Sequence, residues 1–100
     1  MPGHLNRDEI LNFLHDNKAE LGQRFGVIKL GLVGSFARDE GTDQSDIDII
    51  VELQSENKFR SFFGLLHFLE DSLHRKIDLA TEASLKPLVK KSIGSDIRYV

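Results

Sequence analysis

Two apolar segments with β-branched residues constrain this chain most: VIKLGLV, from Val27 to Val33, and IDIIVEL, from Ile47 to Leu53. Both read as strands. In the first, Ile28, Leu30 and Leu32 fall on one face of a period-2 pattern. It runs directly into Gly34-Ser35, and Phe36-Ala37-Arg38 reads as one turn of a new helix. The second opens on two carboxylates, Asp46 and Asp48, after a polar loop from Asp39 to Ser45. A strand that starts on paired acids and a strand that ends in Gly-Ser are unusual in a purely structural sheet.

The remaining segments supply the packing. A leading helix is capped by Asn6, with Glu9 three residues on to close a capping box and Asp8 at its positive end. Ile10, Leu11, Phe13, Leu14 and Leu21 form its apolar stripe, and Gly22 or Gly26 ends it. A second long helix, from about Phe59 to Leu73, carries Phe59, Phe62, Phe63, Leu66, Leu69 and Leu73 at helical spacing. These aromatics read as core, with a spare one left for a partner interface. A third strand, Lys76 to Ala80, places Asp78 between Ile77 and Leu79. Thr81 or Ser84 then caps a helical tail, interrupted by Pro87 and closed near Gly94. The order α-β-(α)-β-α-β-α predicts an α+β fold, a small mixed β-sheet backed by helices.

A chain of 100 residues predicts one domain, 1–100. With 13 Lys+Arg against 16 Asp+Glu the net charge is −3, which disfavours a surface that neutralises nucleic-acid phosphates. No apolar run approaches the roughly 20 residues of a membrane helix, and the first ten residues do not resemble a signal peptide. The expectation is a soluble cytoplasmic domain. The absence of cysteine excludes disulfide scaffolds, thiolate zinc sites and cysteine nucleophiles.

Three features then converge on chemistry. Residues i and i+2 of a strand share a face, so Asp46 and Asp48 would present carboxylates about 7 Å apart at the backbone. Asp78, flanked by apolar residues, needs a partner or a metal if it is buried. Three carboxylates on one face repel one another unless divalent cations neutralise them, and Mg²⁺ takes oxygen ligands while leaving room for phosphates. Gly34 permits close approach of a phosphate, which backbone N–H groups and the Ser35 hydroxyl can hold. A phosphate cradle beside a two-metal carboxylate site suits in-line displacement at phosphorus.

The segment GSFARDEGTDQSDIDIIVEL resembles the signature of the DNA polymerase β-type nucleotidyltransferase superfamily, Gly-Ser, a spacer, then Asp-x-Asp in an apolar strand. Together with KIDLAT and a terminal LKP…RYV, it is similar to the minimal nucleotidyltransferase (MNT) antitoxins of HEPN/MNT toxin–antitoxin pairs. The resemblance spans roughly Val27 to Val100. It implies a polymerase β-like core in which Asp46 and Asp48 bind two Mg²⁺ ions, Asp78 completes the catalytic-metal site, and Gly34 and Ser35 hold ATP. It further implies transfer of AMP from ATP to a tyrosine of a HEPN-type RNase toxin, which silences that partner. Alternatives are a nucleotidyltransferase acting on a small molecule, as in the aminoglycoside-modifying branch, and a non-catalytic binding antitoxin.

Other readings of the same residues are weaker. Ile47, Ile49, Ile50 and Val51 build a strand where a calcium-binding EF-hand loop needs polar alternation. Asp39 stands where a Walker A loop needs its second glycine. Arg38 can contact the triphosphate or pair with a motif carboxylate. Ser45 reads as a structural cap, and Lys86 as a solvated lysine that can approach the nucleotide. His4, His15, His67 and His74 form no ligand or triad pattern, and Lys90-Lys91 is too short for a nucleic-acid patch.

Overall fold

The computed structural model of the chain describes residues 5–42, 44–81 and 97–100. Helix α1 (Arg7–Phe25) starts as its cap motif predicts, with Asn6 Oδ1 accepting the Glu9 backbone N–H at 2.8 Å. Its stripe buries Ile10, Leu14 and Leu21 completely. The helix stops at Gly26, whose φ of +74° is the left-handed conformation that only glycine adopts at little cost. A Cβ at Gly26 would collide with the Gln54 carbonyl, so the helix end is pressed against the end of the sheet. Gly26→Ala is expected to cost about 2 kcal/mol of stability, combining backbone strain with that collision, as read from urea unfolding.

Strand β1 (Val27–Val33) leads into the four-residue helix α2 (Gly34–Ala37), followed by strand β2 (Ile47–Leu53). Both strands have the bounds their sequence predicts. The expected face of β1 is only partly right. Pairing jumps from Val27↔Leu53 to Lys29↔Glu52, so Ile28 is the extra residue of a β-bulge. It is 47% exposed, whereas Leu30 and Leu32 are fully buried.

Helix α3 (Lys58–Leu73) is capped by Asn57, whose side chain accepts the Arg60 N–H at 3.0 Å. Its buried seam is Leu65 and Leu69, with Phe62, Leu66, Phe68 and Leu73 packed at the margin. Phe59 and Phe63, expected in that stripe, are 76% and 41% exposed, because the seam is rotated toward Leu65. Strand β3 (Ile77–Thr81) follows one residue later than expected.

A fourth strand, β4 (Arg98–Tyr99), was not expected. It pairs antiparallel with β1 at Gly31↔Tyr99 and Leu32↔Arg98. Lys18 of α1 donates to the Val100 carbonyl at 2.7 Å and fastens this end. The helical tail expected from Thr81 or Ser84, through Lys86 and Pro87, to Gly94 falls on 82–96, outside the described residues. Thr81 itself ends β3.

The sheet order is β3-β2-β1-β4, with β2 and β3 parallel and the other neighbours antiparallel. This is the mixed sheet anticipated from the element order. Leu30, Leu32, Ile47, Ile49, Val51, Ile77 and Leu79 pack with the buried residues of α1 and α3 into one core. Alternation along the strands therefore turns Asp48, Ile50 and Asp78 to the opposite face. Among the described residues, no helix is long and apolar enough to cross a membrane.

Candidate active site

Register brings the sequence motifs together. Val33, the last residue of β1, pairs with Asp48 of β2, so Gly34 exits the sheet directly beside that carboxylate. A Cβ on Gly34 would collide with Asp48 Oδ2, and its φ of +75° again requires glycine. Ser35 follows in the same turn, and the buried side chains of Phe36 and Ala37 anchor it. On the other side of Asp48, the parallel pairing of β2 and β3 sets Asp48 opposite Asp78. Gly34 and two carboxylates, from three separate elements, thus meet at one end of the open sheet face, with Ser35 next to Gly34 in the chain.

Two details differ from the sequence expectation. Asp46 precedes β2 instead of sharing its pleat: it is an exposed loop residue whose Oδ2 lies 3.9 Å from Lys76 Nζ. Asp78 is also exposed, so the penalty for a buried carboxylate does not fall there. It falls on Asp48, which is half-buried and has its pKa pushed up from 3.8 to about 6. Burial is the leading cause, followed by the charge of Asp78, a hydrogen bond shared with Asp78, and the charge of Asp46. Arg38 acts in the opposite direction, favouring the charged form.

The neighbouring side chains divide accordingly. Arg38 Nε also pairs with Glu40 Oε1 at 3.1 Å, so its charge is shared between Glu40 and the carboxylate group. Ser45 Oγ accepts the Thr42 N–H at 3.1 Å, the structural cap anticipated for it. His15, His67 and His74 are exposed, while His4, Lys86, Lys90 and Lys91 lie outside the described residues. A cleft of about 230 Å³ opens in front of Gly34, Asp48 and Asp78. Its remaining wall is formed by Val33, Ile49, Ile50 and Ala80, a surface with no sequence signal beyond ordinary strand residues.

Among the described residues, no three acids or histidines are already gathered into a cation trap. The donor set nevertheless fits a divalent cation. Asp48 carries electrostatic stress from Asp78 and Asp46 that a cation would relieve, and hard oxygen ligands of this kind suit Mg²⁺.

The chain belongs to the nucleotidyltransferase domain family, which matches residues 16–100. A Methanocaldococcus jannaschii protein with a provisional name as a protein adenylyltransferase is 40% identical over 93 residues, covering 92% of this chain and 95% of that one. The protein adenylyltransferase MntA of Thermococcus cleftensis is 35% identical over 96 residues, covering 96% and 97%. A solved structure provisionally described as a minimal nucleotidyltransferase superposes with a TM-score of 0.81 at 24% identity, covering 97% of this chain and 98% of that one. The tri-AMPylated Shewanella oneidensis HEPN toxin in complex with MNT antitoxin matches with a TM-score of 0.57 at 20% identity, covering 98% and 71%. The expectation of a minimal nucleotidyltransferase, and of an enzyme, is borne out at this level.

Proposed function

We propose that residues 1–100 act as one minimal nucleotidyltransferase domain that moves AMP from ATP to a tyrosine of a HEPN-type RNase toxin, silencing it in the cytoplasm as its antitoxin. The observation that carries this reading is the in-register placement of Asp48 against Asp78 beside Gly34, at the mouth of a cleft. The names of the archaeal relatives support the protein acceptor and the adenylyl group.

In this reading Gly34 and Ser35 hold the triphosphate, Gly34 because a side chain there would occupy the space in front of Asp48. Arg38 lends positive charge beside it. Asp46, Asp48 and Asp78 would hold Mg²⁺, which when bound neutralises charge on the phosphates and lowers the pKa of the acceptor hydroxyl. The tyrosine oxygen forms a bond to the α-phosphorus as the bond to the bridging oxygen breaks and pyrophosphate leaves. Asp78, exposed at the mouth of the cleft, receives the phenolic proton. Val33, Ile50 and Ala80 give the cleft an apolar wall beside the reacting groups.

The test uses the purified chain, its co-expressed helical partner, Mg²⁺ and each of the four nucleoside triphosphates in turn. Intact mass is expected to show AMP added to the partner with ATP alone. An Asp46/Asp48 double alanine variant should bind the partner and add nothing. A complex that forms without any mass gain would leave a binding antitoxin and remove the enzymatic reading.

A further inference from the structure

Asp46 sits on a loop, just outside the ladder that fixes Asp48 and Asp78. Arg75, in the turn between α3 and β3, bonds that loop. Its Nη2 donates to two carbonyls of that loop, Ser45 O at 2.6 Å and Thr42 O at 3.0 Å. Ser45 is the residue immediately before Asp46. The guanidinium carbon lies 5.5 Å from the centroid of the Phe36 ring, within cation–π range. Phe36 is the fully packed residue of α2, one position after Ser35, and Gly41 of the same loop presses on its ring. Three residues after Arg75 comes Asp78.

One planar group therefore touches the turn that carries Gly34 and Ser35, the loop that delivers Asp46, and the approach to the strand that carries Asp78. The loop is itself tied, with the Ser45 N–H donating to Thr42 O at 3.0 Å and the Thr42 and Ser45 hydroxyls 3.1 Å apart. The Ile47 N–H donates to Lys76 O at 3.1 Å, joining the same two segments one residue further on. Arg75 Nη1 is buried with no hydrogen-bond partner among the described residues.

We propose that Arg75 is a positioning residue: it fixes Thr42 and Ser45 against α2 and so sets where Asp46 stands relative to Asp48 and Asp78. It acts through Ser45 and Phe36. The proposal rests on the metal-dependent reading of the site. Lysine replaces arginine only in part: its ammonium can donate to the two carbonyls that Nη2 serves, but it lacks the planar guanidinium set beside the Phe36 ring.

Two measurements on the purified full chain test it. The first is amide hydrogen exchange, which reads the clamp without any metal. Arg75→Ala is expected to raise exchange at residues 44–47 while the core strands keep their protection, and Arg75→Lys to give an intermediate pattern. The second is Mn²⁺ binding in the presence of a non-hydrolysable ATP analogue. There Arg75→Ala is expected to weaken binding by about tenfold or more, the size found for outer-shell partners of metal ligands. Adding Asp46→Asn to Arg75→Ala should then weaken Mn²⁺ binding much less than it does in the parent chain.

A folded Arg75→Ala protein with parental Mn²⁺ affinity and unchanged exchange at 44–47 overturns the proposal. If Arg75→Ala does not fold, Arg75→Lys decides by the same two readouts. A parent chain that binds no Mn²⁺ overturns the metal reading and this proposal with it. The exchange pattern then still shows whether the clamp exists, so the two failures are distinguishable.

Discussion

Asp48→Asn is expected to reduce nucleotidyl transfer by roughly a thousandfold, equivalent to about 4 kcal/mol of transition-state stabilisation, while the fold remains intact. In the metal-free protein the same change should stabilise, because it removes a half-buried carboxylate repelled by Asp78 and Asp46. The sign with pH follows from the direction of the shift. The folded state keeps the Asp48 proton up to about pH 6, whereas an ordinary aspartate releases it near 3.8. Between those values the folded state binds more protons than the unfolded one, so stability falls as pH rises through the window. The asparagine side chain does not titrate. Its advantage in thermal midpoint should therefore be larger at about pH 7.5 than at about pH 4.5. Equal advantages at both pH values would show that Asp48 is not the stressed group. Cation binding should release a proton near pH 6, and the Mg²⁺ needed for half-maximal transfer should rise below it.

Gly34→Ala is the second large effect. The methyl group meets two obstacles at once, a φ of +75° and the Asp48 carboxylate. A left-handed alanine alone costs about 1–2 kcal/mol, so a stability loss of about 2 kcal/mol is expected. Activity should fall by roughly a hundredfold, since displacing a reacting-site group by about 1 Å has effects of that order. Combining Gly34→Ala with Asp48→Ala tests the origin of the loss. Removing the carboxylate should recover the part of the destabilisation due to the collision and leave the part due to φ, a non-additivity visible in a double-mutant cycle. Strict additivity in urea unfolding would mean that backbone strain alone is responsible.

The sequence was most informative where local rules decide the outcome. The bounds of β1 and β2, the Asn6 cap and the glycine at the end of α1 all follow from propensity and capping chemistry within a few residues. Gly34, Ser35, Asp48 and Asp78 could be nominated because glycine at a strand exit and acids among apolar strand residues violate local expectation. What stayed hidden depends on pairing across the chain. The bulge at Ile28 exists only relative to β2, and β4 consists of residues that acquire a strand geometry from β1, about seventy positions away. The phase of α3 is hidden in the sequence because its run of phenylalanines obscures Leu65 as the centre of the seam. The exposure of Asp46 and Asp78 depends on where strands begin and which neighbour flanks them, and that is set by the sheet. Arg75 gave no signal, since one arginine at a helix end is ordinary until its partners are known.

The parallel pairing of β2 with β3 has a consequence for how the site is assembled. Ile47, Ile49 and Val51 face the core with Ile77 and Leu79, and the same ladder sets Asp48 across from Asp78. A slip of one residue in either strand would present an acid to the helices and an isoleucine or leucine to the cleft. The apolar alternation that selects the native pairing therefore also aligns the two acids. Chains that have completed their core have already aligned Asp48 with Asp78, so this half of the site needs no separate proofreading step during folding.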